Sequence, residues 1–214
     1  MTMDDLRARR EQGGFSLIEL MIVVAIMMVI SAMAMPTIMN SIDDIRMRGA
    51  MRDVIGLMQT ARQRAIKDNA YYQLAMANQV AYVDLNNDGA FESGGVGANP
   101  QPEPAVEIPR SVVLGNAGAP AWAPSTTLGP NFNPTLNVPP AFNNRGLPCI
   151  VGGGNCVTRT GGMVPGLPGA NVAFQFYFSQ TRVFGPQGWA AITVTPAGRM
   201  KAWYYEPRTG RWNE

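Results

Sequence analysis

A run of 21 residues from Phe15 to Met35, FSLIELMIVVAIMMVISAMAM, carries one charge, Glu19, and constrains this chain more than any other feature. As an α-helix rising about 1.5 Å per residue, it would cross a hydrocarbon layer about 30 Å thick. The preceding MTMDDLRARREQGG sets Arg7, Arg9 and Arg10 close to the apolar run. Basic residues on that flank predict a cytoplasmic N-terminus and an exported C-terminal side.

Three kinds of segment begin this way. A secretory signal peptide would use Leu17 to Ile30 as its apolar region and Ala32-Met33-Ala34 as its cleavage site, and would be removed. A plain membrane anchor would be kept whole. A third kind is cut before the apolar helix instead of after it. Glu19 separates them. A carboxylate deep in a spanning helix costs on the order of 2.5–3.5 kcal/mol on insertion scales, and neither a disposable signal nor a simple anchor gains from that cost. Just upstream, Gly13-Gly14 is small and flexible enough for a protease to hold extended. A cut between Gly14 and Phe15 would leave a positive α-amine at the start of the helix. A carboxylate one turn on, or a neighbouring subunit's, could pair with it. Unpaired, both charges suffer in lipid; paired between subunits, they set a register for assembly.

Gly14-Phe15-Ser16-Leu17-Ile18-Glu19-Leu20 closely resembles the class III leader signature of type IV pilins and type II secretion pseudopilins. Pro36, 21 residues after the cut, is also typical of them. The resemblance implies that a prepilin peptidase cleaves after Gly14 and N-methylates Phe15. It also implies that Glu19 directs subunit docking in a filament.

Past Pro36 the pattern turns amphipathic. Met47, Met51, Val54, Met58, Ala61 and Ala65 lie on one helical face, a packing stripe for a globular domain. Arg46, Arg52, Asp53, Gln59, Arg62 and Gln63 fall largely off it. Basic residues Arg46, Arg48, Arg52, Arg62, Arg64 and Lys67 alternate with Asp43, Asp44, Asp53 and Asp68, which reads as a solvated face. Pro36 lacks an amide hydrogen and should kink or locally open the helix. Phe15 to about Lys67 would make one helix about 80 Å long, more than a compact monomer buries. The membrane would hold its first half until other subunits' helices replace the lipid.

After Asn69 the period becomes two. Tyr71 to Met76 and Val80 to Leu85 predict a hairpin turning at Ala77-Asn78-Gln79, and Ala105 to Leu114 a further short strand. Val172 to Ser179 puts Val172, Phe174, Phe176 and Phe178 on one face. Trp189 to Thr195 and Arg199 to Tyr205 follow, joined at Pro196-Ala197-Gly198. The expected fold is α+β: a long N-terminal helix, transmembrane then amphipathic, packed on a twisted antiparallel sheet. The expected organisation is a leader over 1–14, an assembly helix over 15–68 and a periplasmic β-rich domain over 69–214. Between Gly94 and Ala170 lie 13 of the 17 prolines, 14 of the 23 glycines and only five charges. Such a stretch cannot sustain long helices or central strands, so it predicts an extended surface insertion with one or two short strands. Trp122, Phe132 and Phe142 suggest that part of it packs.

Cys149 and Cys156 bracket a short loop in a domain expected to be exported, where an oxidising compartment favours a disulfide over two free thiols. Asp84-Leu-Asn86-Asn-Asp88-Gly89 sets oxygens at alternate positions before a glycine, like the first half of a calcium loop. The usual closing glutamate is absent at Gly95, with Glu92 the nearest substitute, and Asn-Asp-Gly is equally a strand-connecting turn. Near the C-terminus, Arg199, Lys201, Arg208 and Arg211 interleave with Trp203, Tyr204, Tyr205 and Trp212. That composition can bind single-stranded nucleic acid, and is equally an amphipathic last strand.

Composition narrows the chemistry. The chain has 214 residues and no histidine, which removes Ser-His-Asp and Cys-His catalysis and His-ligated metals. Two cysteines cannot alone build a four-cysteine site. With 17 basic against 15 acidic residues, no charge excess advertises nucleic acid. No catalysis is expected, and no cofactor is required; calcium is the one ion the pattern suggests.

The whole arrangement resembles the GspH/FimT family of pseudopilins, in residues 13–68 and again in Asp84–Gly89, Asn144-Arg145-Gly146 and Thr195-Pro-Ala-Gly-Arg199. The resemblance implies a minor subunit of a type II secretion pseudopilus or type IV pilus. Its partners would be other pilin subunits, prepilin peptidase, the inner-membrane assembly platform and, before assembly, lipid. Some family members bind DNA through a glycine-arginine motif, which Gly198-Arg199-Met200-Lys201 partly matches, so DNA capture by Arg199 and Lys201 is the alternative.

Overall fold

The computed structural model describes residues 15–93, 102–115, 117–120, 134–136, 140–152, 155–158 and 173–214. One helix, α1 (Leu17–Lys67), dominates it: 51 residues, about 77 Å long. It continues through Pro36 as one helix, although the proline has no amide hydrogen to donate to the preceding turn. The helix ends where Asn69 takes a left-handed conformation, φ 51°, and the Asp68 and Ala70 amides return to the Arg64 and Ala65 carbonyls.

The two halves of α1 differ in what covers them. Every residue from Phe15 to Met35 is exposed. From Asp43 onward one face is buried: Met47, Ala50, Met51, Val54, Leu57, Met58, Ala61 and Ala65. All six residues of the expected stripe are among them, as the 3.6-residue period requires.

The stripe packs on two antiparallel sheets, where one was expected. The first runs in the order β3-β2-β1-β6-β7-β8, built from β1 (Tyr72–Ala77), β2 (Val80–Asp84), β3 (Ala105–Glu107), β6 (Ala141–Phe142), β7 (Pro148–Gly152) and β8 (Asn155–Val157). The second runs β12-β11-β10-β9-β4, from β4 (Val112–Leu114), β9 (Ala173–Gln180), β10 (Gly188–Val194), β11 (Met200–Glu206) and β12 (Arg211–Asn213). β5 (Pro134–Leu136) pairs parallel with the start of β9, beside the stretch of β9 that β4 covers. The β1–β2 hairpin turns on Asn78 and Gln79, both at positive φ (49° and 67°), as a two-residue turn of matching twist demands.

Phe174, Phe176 and Phe178 of β9 face one common core with the helix stripe and with Ala190, Ile192 and Val194 of β10. Val172 lies outside the described residues. β10 is buried on both faces, so the alternation seen in its sequence marks only which side meets the helix. Gly118 approaches the outer side, 3.8 Å from the Trp189 indole when given a Cβ.

Two expectations are corrected here. Ala105 to Leu114 is two strands, not one, and they pair into different sheets, β3 on β2 and β4 on β9. Pro109, between them, offers no amide hydrogen for a ladder. The proline- and glycine-rich stretch also supplies more short strands than the one or two expected, contributing β3 to β8. Its described strands are two to five residues long, and its described prolines fall at or between strand ends. Phe142 is fully buried. Trp122 and Phe132 lie outside the described residues.

Candidate processing and assembly site

The candidate site is the start of α1. Ser16 stands at its N-cap in extended conformation, without a side-chain cap bond, and its carbonyl accepts the Leu20 amide at 3.2 Å. Phe15 is 80% exposed. Glu19 falls in the first helical turn, where the positive end of the helix dipole favours a carboxylate. It is exposed, and among the described residues no hydrogen-bonding group or cation meets it. Gly14, the other residue of the expected cut, lies outside the described residues. A carboxylate of this kind, on a helix half that no described residue covers, is an incomplete ion-pair site. An amine generated at Phe15 lies one turn away, about 6 Å along the axis.

This stretch is also where comparison with known proteins finds a match. Residues 9–35 fit the family model of the prokaryotic N-terminal methylation motif. The match supports a type IV pilin-like protein. It supports a structural subunit, not an enzyme, that prepilin peptidase processes and that assembles with other pilin subunits. The apolar helix behind such a leader indicates membrane anchoring. No curated protein and no solved structure matches the chain.

The remaining sequence candidates separate into scaffold and surface. Cys149 and Cys156 are joined, with Cα atoms 5.4 Å apart across the β7–β8 hairpin, within the range a disulfide spans. Asp84 is buried, and both its carboxylate oxygens accept backbone amides, from Asn87 at 2.6 Å and Gly89 at 2.9 Å. Asn86 accepts from the Asp88 amide, and Asp88 from the Ala90 amide and the Asn86 side chain. Glu92 reaches the same Asn86 side chain at 3.3 Å. Glu103, which the sequence did not single out, binds the Leu85 and Glu92 amides. These oxygens therefore fold the loop, and among the described residues no group of three or more Asp, Glu, Cys or His is placed to hold a metal.

Arg199 and Lys201 are brought near each other but differ in state. Arg199 is exposed at the β10–β11 turn. Lys201 pairs with Glu214 at 2.6 Å and lies 5.5 Å from the centre of the Trp203 ring. Closer to the stalk, a cleft of about 360 Å³ opens between α1 and β10–β12, where Asp44, Arg48, Arg182 and Glu206 put both signs of charge on its walls.

Arg62 is the residue that reading by helical face misplaces. The helical period predicts a solvated side chain there, yet it is half-buried, and its Nη1 donates to the Gly198 carbonyl at 3.2 Å. Two glycines at positive φ, Gly146 (72°) and Gly198 (77°), close around it. A Cβ on Gly146 would stand 2.8 Å from Ile66 Cδ1 and 2.9 Å from Arg62 Nε; one on Gly198 would stand 3.0 Å from the Gly146 carbonyl. The Gly146 turn joins β6 to β7 and the Gly198 turn joins β10 to β11, so this guanidinium links the helix to both sheets. Asn144 adds a bond to Asn69 at the helix end, 2.9 Å. The Asn144-Arg145-Gly146 and Thr195–Arg199 turns thus add polar and close contacts at the C-terminal end of α1, beside the buried stripe. Asp43, expected on the same solvated face, is likewise buried, with Arg46 at 3.7 Å and its backbone carbonyl accepting from the Gln180 side chain.

Proposed function

We propose that this chain is a minor pilin-like subunit of the GspH/FimT kind, serving a type II secretion pseudopilus or a type IV pilus. It is held as a single-pass protein of the inner membrane with its β-rich domain in the periplasm. After cleavage at Gly14 and methylation of Phe15 it enters a filament through α1. The observation that carries this reading is Glu19: an acid that no described residue pairs, on an apolar helix half that no described residue covers, within the methylation motif. Lipid tolerates that acid poorly, whereas the new amine of a neighbouring subunit neutralises it and defines the docking height.

The test has two parts. Mass spectrometry of the mature chain should find an N-methylated Phe15. Glu19→Ala should leave cleavage and domain unfolding unchanged while incorporation into filaments falls at least tenfold. Incorporation at the wild-type level would refute the role assigned to Glu19. DNA capture through Arg199 and Lys201 remains the second reading. The exposure of Arg199 favours it, and the engagement of Lys201 with Glu214 counts against it.

A further inference from the structure

Between β9 and β10 the chain makes a loop, residues 181–187, that reaches down the outside of α1 towards the stalk. Three contacts fix its height. The Gln180 side chain donates to the Asp43 carbonyl at 2.9 Å, Arg182 is ion-paired with Asp44, and a Cβ on Gly185 would lie 3.9 Å from the Asn40 side chain. The loop thus descends from the level of Asp43 and Asp44 to that of Asn40. At its tip Val183 is 79% and Phe184 41% exposed. Outside α1, they are the one adjacent pair of exposed large apolar residues among those described.

Asn40 lies five residues past Met35, about 7.5 Å along the axis. The headgroup layers add about 5–8 Å to each side of a hydrocarbon core of about 30 Å. With residues 15–35 filling that core, the tip stands at headgroup depth. The helix presents Ile38, Met39 and Ile42 to the outside at the same level. We infer that Val183 and Phe184 are an interfacial lipid anchor, seated at headgroup level in the leaflet facing the domain before the subunit is assembled. The anchor is a second membrane contact beside the helix, and it fixes the rotation of the domain about the stalk.

Size argues for lipid as the occupant over a protein. One aromatic offers about 150–250 Å², far below the roughly 800 Å² per partner of a stable interface, whereas a membrane surface accepts single apolar side chains that reach it. The inference rests on the membrane reading of residues 15–35, and the experiment separates the two.

The full chain is reconstituted into vesicles of phosphatidylethanolamine and phosphatidylglycerol, with an environment-sensitive nitrobenzoxadiazole label on one introduced cysteine. Phe184→Cys and Val183→Cys report the tip, and Ala25→Cys reports the helix. Ala197→Cys lies beside Arg62, about 33 Å further from the bilayer than Asn40. The native cysteines are paired and do not react. Tip labels should emit to the blue of the Ala197 label and be quenched at least threefold more by lipids brominated high in the acyl chain. Tip labels matching the Ala197 label, with the Ala25 label quenched, would overturn the anchor and leave the membrane reading standing. An unquenched Ala25 label would overturn the membrane reading and the anchor with it. Blue-shifted tip emission that rises with protein density and ignores brominated lipid would assign the tip to a second copy, and would also overturn the anchor.

Discussion

Arg62→Ala is the substitution that most directly tests how the helix is held. The variant removes a hydrogen bond from a charged donor to the Gly198 carbonyl, worth about 1.5–3 kcal/mol in a protein interior. Arg62 is only half-buried, so water partly replaces the bond, and the lower half of that range applies. The lost packing of the arginine stem between two turns adds a contribution of similar sign. The expected destabilisation is about 2 kcal/mol, or a fall in Tm of about 4–8 °C for a domain of this size. Gly146→Ala and Gly198→Ala should cost at least as much, because each forces an alanine to positive φ. They should differ when combined with Arg62→Ala. The Gly146 Cβ meets the ends of flexible side chains, Ile66 and Arg62, so truncating Arg62 relieves part of its clash. The Gly198 Cβ meets the rigid Gly146 backbone carbonyl at 3.0 Å as well as the Arg62 guanidinium at 3.1 Å, so truncating Arg62 should relieve a smaller share of its cost than of the Gly146 variant's. Urea unfolding of the full chain in detergent, followed by tryptophan fluorescence, measures all five variants, with exposed Arg52→Ala as control. An Arg62→Ala effect no larger than that of Arg52→Ala, or identical coupling of the two glycine variants to it, would refute the clamp.

Reducing the Cys149–Cys156 bond should cost about 2–3 kcal/mol, given the short loop it closes, with lost amide protection confined to β7 and β8; hydrogen exchange with and without reductant reads this directly. Asp84→Ala leaves the Asn87 and Gly89 amides without their acceptor and should destabilise the chain by about 2–3 kcal/mol. A calcium titration of the wild-type melt tests whether that loop also takes an ion: a saturable rise in Tm that Asp84→Ala abolishes would establish a site. Burial pushes the Tyr72, Tyr82, Tyr177 and Tyr204 hydroxyls above the usual value of 10.0, although Arg48 and Arg52 partly offset it at Tyr204. A raised phenol favours the protonated, folded form, so this stability is complete below pH 10 and lost as pH rises beyond it. Melts between pH 8 and 11 should fall only above about pH 10, and Tyr82→Phe should flatten that fall.

Much of the fold was legible because it depends on local period. The apolar run, the 3.6-residue stripe from Met47 to Ala65 and the alternation around Phe174 each report a face that must leave water, and each is where the periods put it. The hairpin at Asn78 was legible for a similar reason: few residues tolerate positive φ. The division of strands between two sheets was not, since β3 and β4 are three residues each and their sequences do not say which neighbour supplies a ladder. Glu103 escaped notice because its partners, the Leu85 and Glu92 amides, are distant in sequence or backbone groups that every residue shares.

Residues 15–35 announce their environment by composition alone, and Glu19 stands out because a charge is costly wherever its neighbours are apolar; chain order suffices for both. Arg62, Gly146 and Gly198 acquire their meaning only when three segments, 84 and 52 residues apart in sequence, meet at one guanidinium. The tip at Val183 and Phe184 likewise gains a depth only from the contacts that set it beside Asn40. Periodicity encodes how a segment meets solvent, which is a one-body property. Packing between segments is a many-body one, decided by distances that exist only after the chain has closed on itself.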